Sequence, residues 1–293
     1  MMNQMFTGLQ SFLLKQGLMF LKRFLWGFAA RKGCPDYEVR IQRHIINNKN
    51  FLNDLKNICN MGGNSINHIG IILDGNRRFA KKLMKEPWKG HEYGAEKVNN
   101  LFDWCKELGI KEMTLYAFSM QNFNRPKHEF NYLMKVFMEF FSDEKTLKKI
   151  HDNKIHVNFV GRINLFPSEV YSQMKNLMDV SKNYSDYKIN FAMAYGGREE
   201  LIDAVKKLGR DIEDGKIDPA SLDEDKFSKF LYMDSDPDFI IRTGGDHRTS
   251  NFLAWQSVYS EWMFLEKTWP EFEKEDLIAC VNNFNNRERR FGK

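Results

Sequence analysis

His68-Ile69-Gly70-Ile71-Ile72-Leu73-Asp74-Gly75-Asn76-Arg77-Arg78 is an apolar run that stops abruptly at a carboxylate, a glycine and two guanidinium groups. Ile69–Leu73 has the length of a strand and no polar alternation. That is the pattern of a strand covered on both faces, as in a parallel sheet. Working outward, similar runs return at Met113–Phe118, Ile155–Val160, Ile189–Ala194 and Phe239–Arg242, with a short sixth near Met263–Leu265. Helical periodicity between them covers about 91–108, 127–150, 168–182, 198–214, 223–231 and 274–289. The alternation predicts an α/β fold with a central, mostly parallel six-stranded sheet flanked by helices. Ligands of such sheets sit beyond the carboxyl ends of the strands, so the chemically unusual residues are expected there.

They are found there. Asp74 is a hard oxygen ligand suited to Mg²⁺, which binds through one or two carboxylates plus phosphate oxygens. Gly75 lets the backbone approach a ligand closely. Asn76, Arg77 and Arg78 offer an amide and guanidinium forks to phosphate. The same residues also fit a capped helix start with solvated arginines. The second run leads into Ser119-Met120-Gln121-Asn122-Phe123-Asn124-Arg125-Pro126, with Pro126 suited to the first turn of a helix. Arg125 either faces a ligand or pairs with Glu129. The run ending at Ile241 leads into Arg242-Thr243-Gly244-Gly245-Asp246-His247-Arg248-Thr249-Ser250-Asn251, a donor-rich loop matched to a diphosphate. It is not a Walker loop, whose spacing is absent. Glu261 reads either as a surface acid or as a second metal ligand. With no nucleophile–base triad and no thiol centre, the clusters point to electrostatic handling of phosphate groups with metal assistance.

Charge narrows the partners. The net +5 comes from 44 basic and 39 acidic residues, and residues 1–35 hold Lys15, Lys22, Arg23, Arg31 and Lys32 with no acid. Residues 36–293 therefore carry 39 of each sign, which speaks against a nucleic-acid partner. Cys34, Cys59, Cys105 and Cys280 form no C-x-x-C pair and no zinc spacing, so free thiols are expected. The chain divides into an N-terminal segment 1–35, a helix and Asn/Gly-rich linker over 36–67, and the main domain 68–293. Lys15, Lys22 and Arg23 interrupt the first segment, so it falls short of the ~20 apolar residues of a spanning helix. Phe6, Leu13, Phe20, Phe24 and Trp26 make it an amphipathic helix expected to lie on a membrane surface. A targeting peptide and a helix packed on the core are the alternatives.

The quoted motifs, together with Gly90-His91-Glu92-Tyr93-Gly94-Ala95 and Ala194-Tyr195-Gly196-Gly197-Arg198-Glu199-Glu200-Leu201, resemble those of cis-prenyltransferases over about residues 66–293. These are the undecaprenyl diphosphate and dehydrodolichyl diphosphate synthases. The wording Arg77-Arg78-Phe79-Ala80-Lys81-Lys82 is similar to the eukaryotic, dolichol-type branch. The resemblance implies elongation of an allylic diphosphate such as farnesyl diphosphate by repeated addition of isopentenyl diphosphate. The product would be a long-chain cis-polyprenyl diphosphate, a dolichol precursor for protein glycosylation, held in a hydrophobic tunnel beside the sheet. It implies that Asp74 binds Mg²⁺ and assists departure of diphosphate, with Glu261 as second ligand. Gly75, Asn76, Arg77, Arg78, His91 and Arg125 would cradle the allylic diphosphate, and Phe79 and Phe123 would flank the prenyl chain. Ser119 and Asn122 would sit near the condensing carbons, with Asn122 aiding proton removal. Arg242, Arg248 and Ser250 would hold isopentenyl diphosphate.

Arg290-Phe291-Gly292 resembles the tail that reaches across the dimer to the partner's isopentenyl diphosphate site. A homodimer is expected, with a heteromeric partner subunit the alternative. The expected location is the cytoplasmic face of a membrane, that of the endoplasmic reticulum on the dolichol-type reading, or an organelle if the N-terminus is a targeting signal. Three positions depart from the family pattern. Pro87 stands where many members carry an arginine for the allylic diphosphate, and proline cannot take that role, which either disappears or passes to Lys85 or Lys89. Gln121 stands for the usual glutamate, and Phe79 for the tryptophan common in bacterial members. The helix bearing Phe130, Leu133, Met134, Phe137, Phe140 and Phe141 is either tunnel wall or ordinary core.

Overall fold

The computed structural model describes residues 66–287. The opening apolar run forms β1 (His68–Ile72), buried along its whole length. A two-residue step then places Gly75 in a left-handed conformation, φ 100°, and α1 (Asn76–Lys82) begins. Only glycine serves there, for a second reason as well: a Cβ would stand 2.7 Å from that of Thr268. Next come α2 (Gly90–Glu107), β2 (Glu112–Ser119), α3 (Lys127–Ser142) and α4 (Glu144–Asp152). They are followed by β3 (Ile155–Val160), α5 (Ser168–Ser181), β4 (Tyr187–Tyr195) and α6 (Gly197–Glu213). The chain continues through α7 (Glu224–Ser228), β5 (Phe239–Arg242), β6 (Glu261–Phe264) and α8 (Lys274–Asn285).

The six strands form one sheet in the order β3-β4-β2-β1-β5-β6, and every pairing is parallel. The expected fold class holds, with the sheet wholly parallel among the described strands. The predicted helix over 127–150 is in fact two. Asp143 leaves helical geometry at ψ 123° and its side chain accepts the Thr146 N–H, ending α3 and capping α4. Helical periodicity alone does not show such a break, because the apolar pattern runs on through it. The predicted helices at 223–231 and 274–289 shorten to α7 and α8, and α1 adds a short helix that periodicity left as an open option.

Parallel pairing brings Asp74, Ser119 and Arg242 to the same edge of the sheet. β2 and β5 flank β1 on opposite sides, so the chain changes direction across the sheet at β1 and opens a crevice above it. No helix among the described residues is long and apolar enough to cross a membrane. Cys105 and Cys280 are free and buried. Burial pushes both thiols up, that of Cys280 to about 12, so neither is a reactive centre. Cys34, Cys59, the N-terminal segment, the linker through residue 65, and the tail residues Arg290 and Gly292 lie outside the described residues.

Candidate active site

The crevice holds a cavity of about 560 Å³. Its mouth carries polar groups from the strand ends: Asp74 and Asn76 after β1, Ser119 and Asn122 after β2, Arg242 ending β5, and Ser250 and Asn251 in the loop beyond. His91 and Arg125 complete the mouth. The wall is apolar and comes from α2 (Ala95, Val98), α3 (Leu133, Val136, Phe137, Phe140, Phe141) and β4 (Phe191, Met193). Strict strand alternation would turn Tyr116 and Ala117 to opposite faces, yet both line the cavity. The register with β4 shifts between Tyr116 and Ser119, which re-aims this strand end.

Asp74 is the electrostatic hub. Its Oδ2 accepts from Arg242 Nη2 at 2.8 Å, and its Oδ1 accepts from Arg78 Nη2 at 3.2 Å and from the Gly75 N–H at 2.6 Å. Asp246 ties the same arginines from the other side. It accepts from Arg78 at 3.1 Å and Arg248 at 2.9 Å, with Arg242 at 3.9 Å. Partial burial works against ionisation of Asp246, but Arg248, Arg78 and Arg242 outweigh it and hold its carboxyl below the usual range. Arg242 is buried, and its other arm donates to Ser250 Oγ at 2.6 Å and to the Arg248 carbonyl. Three arginines face two carboxylates here, an excess suited to an incoming diphosphate.

A second cationic group sits across the mouth. Arg125 donates to Glu129 and approaches His91 Nε2 at 3.2 Å, and Arg77 Nε lies 3.7 Å from Glu129. Burial, with Arg125 and Arg77 repelling another positive charge, pushes His91 down to about 3. His91 is therefore a neutral group at ordinary pH, accepting from Arg125 and free to donate from its other nitrogen. Asn122 Oδ1 accepts the Ser119 N–H at 3.0 Å, so the two polar residues after β2 are locked together.

The structure does not bring every expected residue into this group. Phe79 packs edge-on against Tyr93, with centroids 5.3 Å apart. Phe123 joins a cluster with Phe118 and Phe166 at 5.0 and 5.5 Å. Neither lines the cavity: Phe79 packs on Tyr93, and Phe123 on the rings of its own cluster. Of the α3 residues, Leu133, Phe137, Phe140 and Phe141 are wall, whereas Met134 is core and Phe130 packs on Phe118 and Phe123. Lys85 and Lys89, the candidates to replace the arginine missing at Pro87, line a separate surface pocket.

Glu261 opens β6 in register with Phe239, and Phe239 is in register with Ile69. It thus lies five residues, ~16 Å of strand rise, below Asp74, where it pairs with Arg287. One protomer does not join Glu261 to Asp74, because β6 begins at the amino edge of the sheet. Sequence reasoning missed Tyr116, Val98, Phe191, Met193 and Trp269 as lining residues. All read as core, and nothing in their local sequence marks a cavity.

The donor set at Asp74 fits Mg²⁺. It offers one hard carboxylate, partly exposed at the mouth, beside cationic groups that would gather phosphate oxygens as the remaining ligands. No cluster of three or more His, Cys, Asp or Glu able to hold a metal occurs among the described residues. The ion would therefore depend on substrate oxygens.

Two cationic strand-end clusters over an apolar cavity define an enzyme that handles diphosphates bearing hydrocarbon. The comparisons with known proteins agree. The family model described as "Putative undecaprenyl diphosphate synthase" matches residues 72–292. Tritrans,polycis-undecaprenyl-diphosphate synthase (geranylgeranyl-diphosphate specific) from Methanopyrus kandleri is 46% identical over 77% of this chain and 84% of its own length. The protein of the same name from Pyrococcus abyssi is 45% identical over 77% of this chain and 86% of its own. Among solved structures, lavandulyl diphosphate synthase from Lavandula x intermedia, in complex with dimethylallyl diphosphate, superposes with a TM-score of 0.74. It is 31% identical and covers 78% of this chain and 99% of its own. The chain belongs to the undecaprenyl diphosphate synthase family, the cis-prenyltransferases, and is a prenyltransferase. The Methanopyrus kandleri and Pyrococcus abyssi relatives are archaeal and give the dolichol-type reading of residues 77–82 no support.

Proposed function

We propose that the chain elongates geranylgeranyl diphosphate by repeated condensation with isopentenyl diphosphate, each new double bond cis, to a long-chain polyprenyl diphosphate. One observation carries this reading. A single cavity joins two cationic strand-end clusters at its mouth to a dry wall of Leu133, Phe137, Phe140, Phe141 and Phe191. Ionising an allylic diphosphate leaves a delocalised cation and a departing anion, which needs charge stabilisation and exclusion of water. In this reading Arg77, Arg78, Arg125 and neutral His91 take the allylic diphosphate. Arg242, Arg248 and Ser250 hold the isopentenyl diphosphate so that its alkene meets the cation at near-attack distance. Asn122 stands where the proton leaves. Asp74 would hold Mg²⁺, which when bound neutralises charge on the departing diphosphate. The archaeal relatives, named as geranylgeranyl-diphosphate-specific undecaprenyl-diphosphate synthases, favour geranylgeranyl over farnesyl diphosphate as primer, and an undecaprenyl-type product over a dolichol precursor.

The working unit is a homodimer in which Arg290 and Gly292 complete the partner's isopentenyl diphosphate site. A metal role for Glu261 requires a second copy of the chain. The amphipathic segment 1–35 holds the enzyme on the cytoplasmic face of a membrane, and a truncation lacking it should associate with liposomes more weakly than the full chain. The enzymatic test incubates purified protein with Mg²⁺, labelled isopentenyl diphosphate and each primer in turn, followed by chromatography of the products. Faster elongation from geranylgeranyl diphosphate is expected. No elongation at any protein concentration would sink the homomeric enzyme, and use of farnesyl diphosphate alone would sink the primer assignment.

A further inference from the structure

The turn that closes α1 carries a feature the reaction does not use. Lys85 N–H donates to the Ala80 carbonyl at 3.0 Å and Met84 N–H to the Lys81 carbonyl at 3.1 Å. This is the Schellman closure of a helix, and its left-handed C′ position belongs to glycine by default. Here the position is Met84, at φ 54°. Its side chain is 99% exposed and Leu83 beside it is 44% exposed. An apolar side chain at C′ is strained and gains no burial, so the fold itself gives no reason for methionine there.

The surroundings point to an occupant. Lys81, Lys82, Lys85 and Lys89 are exposed around the tip. Lys82 is paired with Glu271 at 2.9 Å, which leaves Lys81, Lys85 and Lys89 against Glu86, a net charge of +2 (three minus one). Met84 also borders a polar pocket of about 650 Å³, lined further by Lys85, Lys89, Tyr93 and the carboxylates of Glu86 and Glu92. Lys85 also sits 4.9 Å from the Tyr93 ring centroid. Trp88 is half-buried at the base. An apolar tip, a ring of lysines and aromatic residues at its foot is the layering of a bilayer interface: acyl boundary, headgroup phosphates, interfacial rings. A nucleic-acid backbone would use the lysines but not the tip, and an acidic protein would need a groove rather than a protrusion.

We propose that the Leu83–Lys89 turn docks on a bilayer bearing anionic phospholipid, with Met84 and Leu83 entering the acyl boundary and the lysines taking headgroup phosphates. This goes beyond the reaction proposed above and does not rest on it. It also adds a contact independent of residues 1–35. The test uses the full chain with Met84→Cys carrying an environment-sensitive fluorophore, and with Cys34 and Cys59 changed to serine. Vesicles of phosphatidylcholine containing phosphatidylglycerol should shift its emission to the blue and shield it from an aqueous quencher. Pure phosphatidylcholine should do so far less, and salt should reverse the effect. The unlabelled Met84→Gly chain should unfold at higher temperature yet partition onto anionic vesicles about tenfold more weakly. A label that stays in water while the chain sediments with anionic vesicles overturns the proposal, since the chain is then held elsewhere. So does a label that responds to polyglutamate or DNA but not to vesicles, or a Met84→Gly chain that partitions like the parent.

Discussion

Gly94→Ala is a sharp test of how the mouth is built. The new Cβ would stand 2.4 Å from Asn76 Oδ1, 3.0 Å from Trp269 Cδ1 and 3.2 Å from Asn76 Cγ. Neither neighbour retreats freely. Asn76 is buried and its Nδ2 donates to the Leu73 carbonyl at 2.9 Å, while Trp269 Nε1 donates to the Gly94 carbonyl at 2.8 Å. Overpacking at such a site costs ~1–3 kcal/mol, and losing one of those hydrogen bonds costs ~1 kcal/mol more. Replacing glycine inside a helix returns ~1 kcal/mol. The net loss of ~1–3 kcal/mol corresponds to a fall in Tm of about 2–12 °C for a domain of this size. Gly209 is the control: it lies within α6, and a Cβ there meets nothing within 4 Å. Gly209→Ala should therefore gain ~1 kcal/mol and raise Tm by about 2–4 °C. Thermal unfolding followed by circular dichroism reads both. Because Asn76 lines the cavity, Gly94→Ala should also raise KM for the primer. If Gly94→Ala stabilises as Gly209→Ala does, with KM unchanged, the close packing of α2 on the strand-end loop is wrong.

Asp74→Asn keeps the shape but removes the charge facing Arg242 and Arg78. Turnover should fall on the order of a hundredfold or more with the fold intact, and near-parental turnover at saturating substrates would contradict the hub role. His91 has a pKa of about 3 in the folded chain against 6.5 for the free side chain, so between those values the unfolded state binds more protons. Stability should thus rise with pH across that window and be lost as pH falls through it. His91→Phe should flatten the urea-unfolding free energy between about pH 6.5 and 4, and parallel slopes for the two proteins would count against burial of a neutral imidazole. Phe140 and Phe191 border both the main cavity and a small void that reaches Val157 and Ile189. Phe140→Ala should lengthen the products seen by chromatography, and an unchanged distribution would remove Phe140 from the limiting wall. Tyr116 Oη donates toward the carbonyls of Tyr195 and Ser250, at 3.2 and 3.3 Å. Tyr116→Phe should raise KM for isopentenyl diphosphate several-fold while sparing that for the primer, and equal shifts in both would indicate a general structural defect.

The local chain determined a good deal. Continuously apolar runs of strand length separated by helical segments specify buried parallel strands, and that alone places Asp74, Ser119 and Arg242 at one edge. Their residue types then specify anion and metal chemistry, because guanidinium forks, a hard carboxylate and glycine have few other uses together. The tertiary structure decided what depends on distance across the fold. Strand order seats β5 beside β1 and so closes Asp74 onto Arg242, 168 residues apart in sequence. The cavity wall is assembled from α2, α3 and β4, and its Phe191 and Val98 read locally as any core residue would. Asp143 breaks a helix through one side-chain cap, which periodicity does not register. Glu261 was legible as an acid near the last strand, but which end of the sheet it occupies follows from where β6 enters the register. Residue type is a local property and so can be read along the chain, whereas enclosure, register and proximity arise only when separate segments pack.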